Sequence, residues 1–217
     1  MKMYVVGSFN NESFEELADV TDSTKIEYGN IHGYKVYLKK NNWRSSDMGF
    51  ARIHYVKEVF ELFPETEWLF LVDCDAIVTN YRIKIEDMVD NNYHLIYTVY
   101  HNGFNVGNAL FRNSPEGRDY IDYILSLEGK YLPHPWKEQQ AIIDTYEKYK
   151  SIIKVVPARF MNSLQRQVYD RNQLPTEIDL LGHNMLWQPG DWALHWPGAN
   201  HKGRIEQAKV MLNNIVR

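Results

Sequence analysis

The sequence holds a single cysteine, Cys74, so no intrachain disulfide is available and a reducing compartment is compatible. No window approaches the roughly 20 apolar residues of a membrane span. The longest apolar run near the middle, Trp68 to Val72, is strand-sized and ends in acid. The stretch Met1 to Phe9 is too short for the apolar core of a signal peptide. There is no internal repeat, no low-complexity tract and no linker rich in Pro, Gly and Ser. An excess of positive charge is also missing: 24 Lys and Arg face 28 Asp and Glu, a formal net charge of -4. That balance offers no global attraction to nucleic acid or to an anionic membrane, so any phosphate must be held locally. From these absences we expect one domain over residues 1–217, soluble and cytoplasmic, with no transmembrane segment.

What is present is an alternation of strand and helix patterns. Met3 to Val6 reads as a strand that Gly7, Ser8, Phe9 and Asn10 break into a loop. Ser13 to Val20 reads as a helix, with Ser13 as cap and Glu16 three residues on. Lys35 to Leu38 is a short strand after a turn at Gly33. Met48 to Phe63 carries a helical period that Pro64 closes. Trp68 to Val72 is a continuous apolar strand, buried on both faces. Leu95 to Val99, Ala109 to Phe111, Ile152 to Val156 and Trp192 to His195 read as further strands. Gly117 to Leu127, Lys137 to Tyr149 and Ile205 to Val216 read as helices, and Phe160 to His183 as a long irregular stretch. The alternation predicts an α/β layered domain, in which ligands bind beyond the carboxyl ends of the strands. Aromatic content is 14%, with 15 Tyr and 6 Trp, which a rich core with polar rims explains as well as sugar stacking does.

Four local patterns carry chemistry. The central strand runs into Asp73-Cys74-Asp75, and acids at i and i+2 of extended backbone share a side. Two such carboxylates repel unless a cation neutralises them, and hard oxygen ligands suit Mg²⁺ or Mn²⁺. The alternative is a pair of turn-forming acids that end a strand. Cys74 reads as a small buried filler. His195, in His195-Trp196-Pro197-Gly198-Ala199-Asn200-His201-Lys202, can add a nitrogen ligand, and an O/N set favours Mn²⁺. Gly198 permits close backbone approach and Lys202 can neutralise a phosphate; the plain alternative is a Pro-Gly turn with a solvated lysine. His201 reads as a surface residue. Gly103-Phe104-Asn105-Val106-Gly107-Asn108 is either a turn or a set of amides for sugar hydroxyls. Glu138 and Gln139, at a helix start, are either helix-dipole partners or groups at a sugar's reacting carbon.

In series, these motifs resemble glycosyltransferase family 34, which includes fungal galactosyl- and mannosyltransferases and plant xyloglucan xylosyltransferases. The resemblance runs through His32-Gly33-Tyr34-Lys35-Val36, Glu67 to Asn80, Phe104 to Ser114, Glu138 to Ala141 and His195 to Lys202. It implies a GT-A fold, a Rossmann-like central mixed sheet flanked by helices. It implies a nucleotide-diphosphate sugar donor, UDP first among nucleotides, and a glycan or glycoprotein acceptor. It implies Mn²⁺ (Mg²⁺ as substitute) on Asp73, Asp75 and His195. Gly198 and Lys202 would meet the diphosphate, Asn105 and Gly107 the sugar, and Glu138 and Gln139 the anomeric carbon. Gly7 and Ser8 would lie near base and ribose, and Arg52 near the nucleotide. Retention of anomeric configuration is the family's stereochemistry.

Three departures stand out. We expect no amino-terminal anchor, the final motif has Gly198-Ala199 where the family reads closer to His-x-x-Gly-Cys, and Lys137 replaces one acid of a pair before Gln139. A compact member of this kind fits a bacterial or virus-encoded enzyme, or a domain cut from a longer, anchored protein. The competing readings are another metal–phosphate enzyme, such as a nucleotidyltransferase, or a non-catalytic sugar-binding module. The first calls for a Gly- and Lys-rich phosphate loop after the first strand, and Gly7-Ser8-Phe9-Asn10 has no lysine and one glycine. The second needs no paired acids at a buried strand end.

Overall fold

The computed structural model describes residues 3–40, 45, 47–170 and 172–217. Its centre is a strand whose side chains alternate between two cores. In β3 (Thr66–Val72), Leu69 and Leu71 face one side, while Trp68, Phe70 and Val72 face the other. Both sets are fully buried, which explains the unbroken apolar run.

Around β3 stand β1 (Met3–Asn10), β2 (Lys35–Lys40), β5 (Leu95–Tyr100), β6 (Gly103–Arg112) and β7 (Ile153–Pro157). The six-stranded sheet has the order β2-β1-β3-β6-β5-β7. β1 pairs in parallel with β2 and β3, and β5 with β7; β6 runs antiparallel to β3 and β5. The sheet is therefore mixed, as expected. A smaller sheet of order β4-β9-β8 joins β4 (Ala76–Val78), β8 (Ser163–Leu164) and β9 (Ala193–His195).

One face of the large sheet carries α2 (Met48–Leu62), α4 (Pro115–Ser126) and α6 (Lys137–Tyr149), which pack on one another, with the short α5 (Glu128–Tyr131) beside α6. The other carries α1 (Glu15–His32), the small sheet and α7 (His201–Met211). The short α3 (Ile85–Met88) seats Ile85 in that second core. There Phe70 stacks on Trp192, ring centroids 4.0 Å apart. Among the described residues no helix is long and apolar enough to cross a membrane.

Three local expectations are corrected. β1 does not break at Gly7 but continues to Asn10, because β2 and β3 supply hydrogen-bond partners on both sides. Gly7 belongs in the strand for want of space: a β-carbon there would lie 2.6 Å from the Tyr55 hydroxyl and 2.9 Å from Leu69. Ser13 does not cap a helix. A 3-10 turn over Glu12–Phe14 precedes α1, and the Ser13 hydroxyl donates to Asn11 Oδ1 at 2.6 Å. Third, Gly103 to Asn108 is strand rather than a lead-in, since β5 pairs with β6 from Gly103 on.

Candidate active site

β3 ends at Val72, and the two acids do not share extended backbone. Asp73 to Ala76 forms a turn, closed by the Ala76 N–H donating to the Asp73 carbonyl at 3.0 Å. The turn returns the chain as β4, so both carboxylates converge on one point. Its conformation is fixed from outside. The Asp73 N–H donates to Asn108 Oδ1 and to the Gly107 carbonyl, both at 3.1 Å, and Thr21 donates its hydroxyl to the Cys74 carbonyl at 2.7 Å. Cys74 is buried, and burial pushes its thiol well up.

β9 brings in the third potential donor, His195. Ala76 and His195 are partners in the β4–β9 ladder, and the Trp196 N–H donates to the Asp75 carbonyl at 3.0 Å. Donor atoms of Asp73, Asp75 and His195 all lie within 4.8 Å of one another, and all three residues are buried. His195 Nε2 is 3.1 Å from Asp75 Oδ1 and 3.8 Å from Asp73 Oδ2.

The other ring nitrogen is committed. His195 Nδ1 lies 2.8 Å from Asn162 Oδ1. The orientation of the Asn162 amide follows from its Nδ2, which donates to Thr98 Oγ1 at 2.6 Å and to the Asn108 carbonyl at 2.8 Å. Its oxygen therefore accepts from Nδ1–H, which leaves Nε2 facing the two carboxylates. Nε2 and the two carboxylates sit this close only with a positive charge among them, a proton on Nε2 or a metal ion. A divalent ion fits this donor set of two carboxylates and one oriented imidazole.

Two guanidinium groups flank the carboxylates. Arg52 Nη2 is 2.7 Å from Asp73 Oδ2, its Nε is 3.3 Å from Oδ1, and its Nη1 pairs with Glu138. Arg204 Nη1 is 3.1 Å from Asp75 Oδ2. Burial works to raise the Asp75 carboxyl but is outweighed by His195, Arg204 and Arg52, which hold it well below the usual carboxylate range. For Asp73 burial prevails, with Asp75 adding to it, and its carboxyl sits above the ordinary value despite Arg52. Glu138 is likewise raised by burial, partly offset by Arg52.

Gly107 lines this group by having no side chain. A β-carbon there would fall 2.4 Å from His195 Cε1 and 2.7 Å from Asp73 Oδ2. Asn105 Oδ1 accepts from the Gly107 N–H at 3.0 Å, which places its amide beside the ligands.

A cleft of about 260 Å³ opens over the group, walled by Phe9, Phe14, Met48, Pro197, Gly198 and Arg204. A neighbouring cleft of about 320 Å³ runs past Met48 and Arg52 to Trp136, Glu138 and Gln139. So Arg52, Asn105, Gly107, Glu138, Gln139, Gly198 and the three ligands gather in one region. Gly7 and Ser8 do not reach it: both are buried inside β1, and Phe9 is the β1 residue on the cleft wall. Lys202 is exposed on the first turn of α7, while Arg204, two residues on, points into the cleft. His201 lies edge-on against Phe14, centroids 5.6 Å apart. Sequence reasoning missed Arg204, Asn162 and Gly49, since no spacing marks them.

Comparison with solved structures agrees with this architecture. A glycosyltransferase involved in glycosylation of the major capsid of PBCV-1 superposes with a TM-score of 0.72 at 19% identity, covering 96% of this chain and 99% of that one. The galactosyltransferase LgtC superposes with a TM-score of 0.56 at 12% identity, covering 99% and 97%. The fold is the GT-A fold of glycosyltransferases. Residues 3–92 match the galactosyl transferase GMA12/MNN10 family. An alpha-1,2-galactosyltransferase of Schizosaccharomyces pombe is 24% identical over 243 residues, 89% of this chain and 60% of its own length. Glycosyltransferase 6 of Arabidopsis thaliana is 25% identical over 138 residues, 59% of this chain and 29% of its own length. The chain spans 60–65% of the length of the fission-yeast relatives it matches most fully.

Proposed function

We propose that the protein transfers a sugar from a nucleotide-diphosphate sugar, a UDP-sugar by preference, to a hydroxyl of a glycan or glycoprotein acceptor. The observation that carries this reading is His195 Nε2, held against Asp73 and Asp75 beneath an open cleft. Asp73, Asp75 and His195 would hold Mn²⁺ or Mg²⁺. Such an ion, when bound, neutralises charge on the donor's diphosphate.

The chain's own groups account for the rest. In the transfer, the acceptor oxygen bonds to the anomeric carbon and the bond from that carbon to the phosphate oxygen breaks. The bonding pair leaves on the nucleoside diphosphate, which also takes the hydroxyl proton. Arg204 and the Gly198 backbone line the cleft where that charge would grow. Lys202, from the helix surface, would add long-range attraction. Arg52 and Glu138 would grip sugar hydroxyls, and Gln139 and Asn105 would offer amides near the anomeric carbon. Gly7 and Ser8 would act indirectly, by fixing where Phe9 meets the nucleotide. Retention of configuration follows the family and is part of the proposal.

Thermal unfolding with UDP and with GDP, each with and without Mn²⁺, tests the reading. We expect a rise in Tm that requires both nucleotide and ion. No rise with any nucleoside diphosphate would remove the proposal.

A further inference from the structure

The three ligands and both arginines line the first cleft, but a separate hollow of about 240 Å³ lies on the far side of Pro197 and Gly198. Its walls include Tyr100, His101, Asn105, Trp136, Gln139 and Tyr169. None of the described residues lining it is a carboxylate, lysine or arginine. Among the described residues a phosphate would find no countercharge there, so the hollow suits a neutral ligand.

Its polar atoms are poised and unused. His101 Nδ1 and the Tyr169 hydroxyl are both inaccessible to solvent, and among the described residues neither has a hydrogen-bond partner. Two orphan groups on one hollow are costly unless a ligand satisfies them. Burial also pushes the His101 imidazole below its ordinary value, keeping the ring neutral at pH 7. Trp136 leaves 45% of its surface exposed, whereas Trp68, Trp192 and Trp196 are sunk in the core. An indole kept on a cleft wall offers a flat apolar face, the surface on which sugar C–H groups stack.

The walls are also tied to the donor side. Tyr100 donates its hydroxyl to the Asn162 carbonyl at 2.8 Å, and Asn162 is the residue that orients His195. Gln173 Nε2 donates to the Gly198 carbonyl at 3.3 Å. Gln139 and Trp136 line both this hollow and the cleft that holds Glu138.

We infer that this hollow binds the acceptor, a neutral pyranose whose ring stacks on Trp136 and whose hydroxyls reach His101 Nδ1 and the Tyr169 hydroxyl once those two side chains turn toward it. The inference rests on the donor-site reading, which supplies the sugar to be transferred. It also gives a task to the segment from Phe160 to His183, which contributes Tyr169.

Saturation-transfer NMR tests it, using a pool of methyl pyranosides (gluco, galacto, manno, xylo, fuco) in Mg²⁺ and UDP. At least one pyranoside should bind wild type, lose about tenfold in affinity in Trp136→Ala, and lose about three- to tenfold in Tyr169→Phe. Tyr169→Phe deletes only an unpartnered hydroxyl, so its Tm should hold or rise, and weaker binding cannot be blamed on folding. Equal binding by wild type and both variants overturns the inference. So does a wild type that binds no pyranoside yet shows the ion-dependent nucleotide shift, and in that case the donor-site reading survives. Absence of that shift in wild type removes the donor-site reading itself, whatever the pyranosides do.

Discussion

Gly49 occupies a point where any β-carbon would fall 1.7 Å from a Glu138 carboxylate oxygen. The start of α2 is bare so that the start of α6 can come against it. Asp47 caps α2, accepting from the Gly49 N–H at 2.8 Å, and also pairs with Lys137. Lys137 holds a φ of 41°, a left-handed conformation unusual for a residue with a side chain. It is the residue before Glu138, so the strained turn and the ion pair together aim that carboxylate at Arg52.

Gly49→Ala should therefore displace Glu138 and break its pairing with Arg52. We expect a loss of about 1–3 kcal/mol in stability from overpacking, read by urea unfolding. Turnover should fall with it, whereas Glu138→Gln, which keeps the shape, should lower turnover while leaving Tm near wild type. Equal turnover in Glu138→Gln and wild type would leave Glu138 as a helix-end acid.

Asp75→Ala should abolish the Mn²⁺-dependent part of the nucleotide-induced Tm shift. Transfer should drop by about 10³-fold, the scale of several kcal/mol of lost charge stabilisation. A variant that keeps wild-type transfer would refute the ligand role. Because Arg204 loses its partner, some loss of stability without ion is also expected.

Asn162→Ala should release the His195 ring. With Nδ1–H unheld, the imidazole can rotate and present either nitrogen, so Mn²⁺ affinity should fall about 10–100-fold. Titrating Mn²⁺ against nucleotide-dependent Tm reads this directly. An unchanged midpoint would show that the ring is held by its packing alone.

Arg204→Ala and Lys202→Ala separate two basic groups. Lys202 is exposed and Arg204 is buried against Asp75. Donor affinity should fall in both, more in Arg204→Ala, and only the Lys202 effect should vanish in high salt. The reverse order in a binding titration would return the diphosphate to Lys202.

Legibility followed chemistry more closely than geometry. The apolar strand leading into Asp73 and Asp75 and the strand ending at His195 were readable because burial on both faces leaves unbroken apolar runs. α6 was readable to the residue, since its amphipathic pattern is clean. α1 was not: it runs to His32, yet it buries Thr21, Thr24 and Lys25, so polar letters mask its inner face. Lys25 is tolerated there because Asp22 lies 2.8 Å away. β1 extends through Gly7 and Ser8 because partners on both sides override weak local preference. Arg204 and Asn162 carry no spacing signal, for their roles arise only when β9 pairs with β4 and β8 pairs with β9.

The small sheet stitches Ala76 to His195, a neighbour in the ladder but distant along the chain. Asp75 and His195 are 120 positions apart, and the β4–β9 ladder is what sets them side by side. A protease nick in the irregular stretch between β8 and β9 would leave every ligand present and yet uncouple the imidazole from its carboxylates. Loss of nucleotide response with mass conserved in the complex would be the signature of such a nick.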